Sequence, residues 1–225
     1  MSIALRHTMK SNRIPYIENS DGKLAFLCPD FFIGIGHLYE MNVDFFWNPI
    51  EPQSSEWKGI MGFYSPADEG FGRMYLSGQW NSKHFQLAFG ESIHILSYAD
   101  LGSISEKRGN IKAVYDIPSS GTGKADFYVN GNLFATGTSP VGSLTFGAVK
   151  KSGVLTGCDY SGSSSTTPFS YSPSVIGSRL FGFTQRIDGQ LVHDLVPQKD
   201  GTLLDKVTGE SIRAAQGTPV YGEIR

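Results

Sequence analysis

The stretch KADFYVNGNLFAT, residues 124–136, constrains the fold more than any other in the chain. Two runs of alternating apolar residues flank Asn130-Gly131, a dipeptide that tolerates the positive φ angles of a two-residue turn, so the segment predicts a β-hairpin. Successive strand side chains point to opposite faces, which puts Phe127 and Val129 on one face and Tyr128 on the other. The expectation is that Phe127 and Val129 enter the core, with Leu133 and Ala135 opposite them.

The same period of two recurs in Phe85, Leu87 and Phe89, in Ile93 and Ile95, in Ile111, Ala113 and Tyr115, and in Ala125. Asp21-Gly22, Asp188-Gly189 and Asp200-Gly201 supply further turn signals, and no convincing helical stretch breaks the series. Twenty-seven glycines with 15 phenylalanines and 10 tyrosines suit many short strands joined by tight turns. The expected class is all-β. A chain of 225 residues is long enough to bury a full core, and sandwiches of this size commonly form one domain. The division expected is an arm over residues 1–13 and a single domain over 14–225.

Several function classes are disfavoured by composition and motif. A formal charge of −2 lacks the Lys/Arg excess with which nucleic-acid binders displace counterions. There is no long apolar run to cross a membrane, and MSIALRHTMK lacks the apolar stretch of a signal peptide, so a protein made without export is expected. Cys28 and Cys158 lie far apart with no C-x-x-C spacing, and both read as small buried thiols. No G-x-S-x-G elbow, complete P-loop or H-E-x-x-H pattern occurs. His37, His84, His94 and His193 are scattered, although His84 and His94 flank a strand pair. Glycoside hydrolysis would need two carboxylates across one cleft. No E-x-D-x-E strand supplies them, Asp68-Glu69 fall in a turn-like segment, and Glu91, Asp100, Asp116 and Asp126 are the β-region acids left to consider. Neither an enzyme nor a bound metal or cofactor is expected.

Aromatic residues and two irregular segments carry the remaining candidates. Trp57 and Trp80 lie in or beside strands, with Tyr64 and Tyr75, where such rings either fill the core or offer a platform for a sugar's apolar face. CDYSGSSSTTPFSYSPS, between about residues 157 and 174, reads as a long surface loop whose Tyr160, Phe169 and Tyr171 are candidate contacts. In the arm, Ile3 and Leu5 offer apolar anchors and Arg6, Lys10 and Arg13 positive charge without an acidic residue. That composition suits an acidic, partly hydrophobic groove on a neighbouring protein.

From Asn110 onward the chain resembles the laminin-G-like, concanavalin A-like jelly-roll domains of tailed-bacteriophage structural proteins and of gut-bacterial proteins. ADFYVNGNLFATG is similar to that family's hairpin. SRLFGFTQRIDGQLVHDLVPQKDGTLLDKVTGE resembles its closing signature: a strand, an Asp-Gly turn, a strand ending in Asp-Leu-Val-Pro, and a final D-x-x-T-G-E turn. IPYIENSDGK is similar to the opening strand. The resemblance implies a two-sheet antiparallel jelly-roll sandwich whose C-terminus returns beside its N-terminus. It implies a non-enzymatic structural protein of a phage virion, a capsid decoration or a head- or tail-fibre subunit, with other virion proteins as partners and further copies of the chain as candidates. The alternative it carries is a lectin-like module for bacterial or host glycans.

Overall fold

The computed structural model describes residues 13–28, 33–46, 58–63, 76–79, 84–89, 92–97, 109–143, 153–155, 157–159, 171–173 and 176–224. In chain order the strands are β1 (Ile14–Asn19), β2 (Ala25–Cys28), β3 (His37–Phe46), β4 (Lys58–Phe63), β5 (Leu76–Gln79), β6 (His84–Phe89) and β7 (Ser92–Ser97). They continue as β8 (Gly109–Ile117), β9 (Thr122–Val129), β10 (Asn132–Pro140), β11 (Gly153–Leu155), β12 (Gly157–Asp159) and β13 (Tyr171–Pro173). The chain closes with β14 (Arg179–Ile187), β15 (Gln190–Pro197), β16 (Leu203–Asp205), β17 (Ser211–Ile212), β18 (Ala214–Gln216) and β19 (Pro219–Ile224). Among the described residues the one helical element is a 3-10 turn, Val141–Ser143.

These strands make an all-β, two-sheet antiparallel sandwich of the expected jelly-roll class. The ten-stranded sheet runs β10-β9-β8-β3-β14-β15-β16-β17, with β1 and β19 joined at the start of β14. The facing seven-stranded sheet runs β18-β2-β11-β4-β5-β6-β7. Between them lies one core, to which the large sheet contributes Tyr39, Met41, Val43, Ile111, Ala113, Tyr115, Phe127 and Phe183. The small sheet answers with Phe26, Cys28, Met61, Leu87, Phe89 and Leu155. Cys28 is a buried free thiol, its pKa pushed up first by burial and then by the charge of Asp205.

One contact shows how closely the sheets approach. Phe89 reaches across to Tyr115, their ring centroids 5.6 Å apart, and Tyr115 in turn meets Phe127 edge to face at 5.9 Å. The tip of Phe89 rests on Gly123 of β9, where an added Cβ would lie 3.1 Å from Phe89 Cζ and 3.3 Å from the Asp116 carbonyl oxygen. Gly123→Ala should therefore cost about 1–3 kcal/mol in urea denaturation, as an overpacking change pinned on one side by backbone. A variant as stable as the parent would mean that Phe89 has room to withdraw.

All four Asx-Gly signals are turns. Gly22, Gly131, Gly189 and Gly201 have positive φ, and Asn130 (φ 49°) and Asp188 (φ 50°) precede two of them in the same region, the pattern of type I′ hairpins. The hairpin over 124–136 forms, and Phe127 and Val129 enter the core. Leu133 does not: it is 58% exposed. A two-residue turn pairs Asn132 with Val129 and Leu133 with Tyr128, which sends Leu133 to the outer face. A bulge at Phe134 then shifts the register, and Ala135 arrives opposite Phe127.

The second hairpin repeats this device. NGNLF at 130–134 is matched by DGQLV at 188–192, and the register again shifts, so that Arg186 pairs with Leu191 and Gln185 with His193. Phe134 and Val192, the extra residues, both pack partly against the core. Leu191, like Leu133, is exposed. The chain thus holds an internal echo that its sequence alone does not advertise.

The closing signature is a chain of side-chain caps. Asp200 accepts from the amide and hydroxyl of Thr202 (3.1 and 2.7 Å), which closes the turn after Pro197. Asp205 accepts from His193 Nδ1 at 2.7 Å and from the amides of Asp194 and Val207 at 3.1 and 3.0 Å. Burial works against its carboxylate, yet these bonds outweigh it and hold the pKa below the usual Asp value. The final strand, β19, pairs with β1 from Ile14↔Ile224 to Asn19↔Pro219, so the C-terminus returns beside the N-terminal strand as expected. Asp21 fastens the same corner by accepting from the amides of Lys23 and Thr218, both at 2.9 Å.

The 157–174 segment differs from a plain loop: its ends pair as β12 and β13, Gly157↔Pro173 to Asp159↔Tyr171, in a separate two-stranded sheet. Residues 160–170 lie outside the described residues.

Candidate binding face

The sandwich turns the polar half of each alternating strand of its large sheet outward, and the register assembles those side chains into rows. One row crosses five strands as Leu133, Tyr128, Lys112, Asn42 and Thr184 and ends on Asp194 of a sixth. The neighbouring row reads Thr136, Asp126, Val114, Glu40, Arg186 and Leu191. Adjacent strands lie about 4.8 Å apart, so each row is a ladder of groups at roughly that spacing.

Most charges in and beside these rows are paired, while Arg186 donates to the Gly189 carbonyl at 3.2 Å. Lys112 Nζ contacts Glu40 Oε2 and sits 6.0 Å from the Tyr128 ring centroid. Lys124 Nζ lies 2.7 Å from Asp126 Oδ2, and the Thr136 hydroxyl donates to Asp126 Oδ1 at 2.6 Å. Partial burial opposes ionisation of Asp126, but the hydrogen bonds from Lys124 and Thr136 prevail and its pKa is lowered. Lys206 lies 3.5 Å from Asp194. At the next rung the Asn110 side chain donates to Asp44 Oδ1 at 2.7 Å, and its backbone N–H donates to Asn130 Oδ1 at 3.0 Å, which ties the turn to the sheet.

A second outward cluster is built round Arg179. Its guanidinium stacks on Tyr16 and Phe46, 4.5 and 5.6 Å from the ring centroids, while Nε donates to Glu18 at 2.7 Å. Tyr16 covers Gly222 of β19, where any Cβ would collide with the ring, and meets the edge of the bulged Phe181. The stem and fork of Arg179 are thereby spent on covering apolar surface.

The residues expected from sequence are distributed differently. Trp57, Trp80, Tyr160 and Phe169 lie outside the described residues, as do Ile3, Leu5, Arg6 and Lys10. Tyr171 is placed by its backbone in β13. Arg13 leads into β1 and contacts Glu223 at 3.4 Å, a carboxylate that also accepts from the Tyr221 hydroxyl at 2.7 Å. Of the acids, Glu91 and Asp100 are outside the described residues, while Asp116 and Asp126 stand on the outer face with Lys124 directly opposite Asp116. His84 and His94 are three pairs apart in the β6–β7 ladder, which pairs His84 with Ser97 and Leu87 with His94. His37 bonds Asp188 at 2.7 Å and His193 bonds Asp205. Among the described residues no three His, Cys, Asp or Glu side chains are grouped to hold a metal ion.

Tyr128, Lys112 and Asn42 were not among the sequence candidates. The signal for Tyr128 was present in the hairpin's alternation, which sets it outward. For Lys112 and Asn42 there was none, because their adjacency depends on strand order.

No family model matches the chain, and no curated protein matches it. Among solved structures, domains LG4-5 of the mouse laminin alpha1 chain are similar at 17% identity and a TM-score of 0.45, covering 79% of this chain and 42% of that one. This chain therefore spans about two-fifths of the laminin chain it matches. A native glycosidic hydrolase is similar at 12% identity and a TM-score of 0.38, over 74% of this chain and 78% of that one. At such values neither likeness carries an argument about ligand or activity, and the sandwich assignment rests on the strands themselves.

Proposed function

We propose that this protein is a non-catalytic attachment module that works through a preformed sandwich surface, as a structural component of a tailed-phage particle. The observation that supports this best is the use made of its described carboxylates. Asp21, Asp200 and Asp205 cap turns, Asp188 ties its hairpin to β3 by accepting from the Leu38 amide and contacting the His37 ring, and Glu18, Glu40, Asp126 and Asp194 stand in ion pairs. Acids committed to turns and ion pairs stabilise a surface; they are not poised for proton transfer. The virion setting rests on the resemblance of residues 178–210 to the phage-type closing signature, and it makes other virion proteins the partners.

Mass spectrometry of purified particles tests this reading, and absence of the chain from intact virions would end it. A linked expectation concerns the arm. An arm that orders only on its partner adds little to the isolated fold. Deleting residues 1–13 should leave the melting temperature within a few degrees while reducing incorporation into particles. Unfolding far earlier would make the arm part of the sandwich.

A second reading, binding of surface glycans, is favoured by one observation: the outer face carries an aromatic ring, Tyr128, among hydrogen-bonding side chains. The two readings are compatible, since an attachment protein can also hold a particle near a sugar-rich surface.

A further inference from the structure

We propose that the Leu133–Tyr128–Lys112 ladder on the outer face of the large sheet is a binding site for an uncharged oligosaccharide. The inference rests on the glycan reading above and names its site and ligand class.

Leu133, 58% exposed, is the register partner of the half-buried Tyr128, so β10 and β9 present an aliphatic and an aromatic side chain next to each other. Their separation, about one strand spacing, is comparable to the breadth of a single pyranose ring. A leucine this exposed on a strand otherwise free to be polar is apolar surface left in water. The hydroxyl of Tyr128 and the π face of its ring, which can take the apolar C–H face of a pyranose, are the amphipathic combination that suits a sugar.

The fringe decides the ligand's charge. Lys112 is answered by Glu40 and Lys124 by Asp126, so the two cations nearest the platform are each neutralised by an adjacent carboxylate. An anionic polysaccharide gains nothing from cations already paired, and a cationic peptide meets carboxylates already occupied. A neutral ligand with many hydroxyls can instead share these groups, because ionised side chains held in pairs still accept and donate further hydrogen bonds. Asn42 and Thr184 extend the same row, with Asn42 next to Lys112 and Thr184 one strand further on. They supply uncharged donors and acceptors for sugar rings beyond the first.

The test is calorimetric titration of the full chain with linear neutral hexasaccharides of glucose, mannose and xylose, and with a heparin hexasaccharide, each at millimolar concentration. The expected result is binding of at least one neutral sugar with little dependence on salt. Tyr128→Ala should weaken it about tenfold, Leu133→Ser by a smaller factor, and Tyr128→Phe should stay within about threefold of the parent. Circular dichroism melting of each variant separates lost binding from lost fold, and Leu133→Ser, at an exposed position, keeps the test valid if Tyr128→Ala does not fold. Neutral sugar bound equally by parent, Tyr128→Ala and Leu133→Ser would overturn this site and leave the glycan reading standing. Binding of no neutral sugar, or of heparin alone with steep salt dependence, would overturn both, with the presence of the chain in virions decided separately.

Discussion

Replacing Asp205 by alanine will remove about 3–5 kcal/mol of folding free energy at neutral pH, because several donors lose one buried charged acceptor and each group left unsatisfied costs about 1–3 kcal/mol. The carboxylate is buried, and three donors converge on it: the His193 ring and the amides of Asp194 and Val207. Alanine leaves all three without this acceptor, and buried donors deprived of a partner are costly. Asp205→Asn keeps the shape and one acceptor oxygen, so its loss should be smaller.

The same group shapes the acid limb of stability. Its folded-state pKa is lowered, so across the acid range the unfolded chain binds more protons than the native one. Its contribution is therefore complete above the ordinary carboxylate pKa of about 4 and is lost as pH falls through the lower folded value. Denaturant titrations from neutrality downward should show a steeper decline for the parent than for Asp205→Ala. Parallel curves, or a loss under about 1 kcal/mol at neutral pH, would reduce the Asp205 network to decoration of the turn.

Phe127→Ala is expected to cost about 3–5 kcal/mol, since the ring is buried against Tyr115 in the middle of the sandwich and its removal leaves a cavity. Its informative companion is Leu133→Ser, six residues on, at an exposed position. That change should stay within about 0.5 kcal/mol of the parent, the range of ordinary surface substitutions. Equal costs at the two positions would mean that the register assigned to the hairpin is wrong.

These two residues mark how far the sequence could be read. Alternation in ADFYV assigned Phe127, Val129 and Tyr128 to their faces correctly, because each strand side chain's direction follows from its immediate neighbours. Leu133 was misassigned because its face depends on counting pairs across the turn, and Ala135 reached its place only through a bulge. The bulge recurs at Val192, although nothing in either pentapeptide requires an extra residue when read alone. The long Ser-rich segment was legible as irregular, but the pairing of its two ends was not, since Gly157 and Pro173 meet only in three dimensions.

For the candidate site the division is sharper. Tyr128 was visible as an outward aromatic, whereas Lys112, Asn42 and Thr184 come from strands distant in sequence and become its row-mates only because β9, β8, β3 and β14 lie side by side. Asp205 shows the same limit inside the fold: the D-x-x-T-G-E turn was recognisable, but its bond to His193 was not.

By itself, then, the sequence determined the all-β class, the Asx-Gly turns and the return of the C-terminus, since these follow from local backbone preference, a period of two and the order of motifs along the chain. The tertiary structure alone decided sheet order, the hairpin bulges at Phe134 and Val192, the close approach of Phe89 to Gly123 and the rows on the outer face. Those features are relations between residues far apart in the chain, and they are fixed only when two sheets close over one core and select the single register that buries its apolar face.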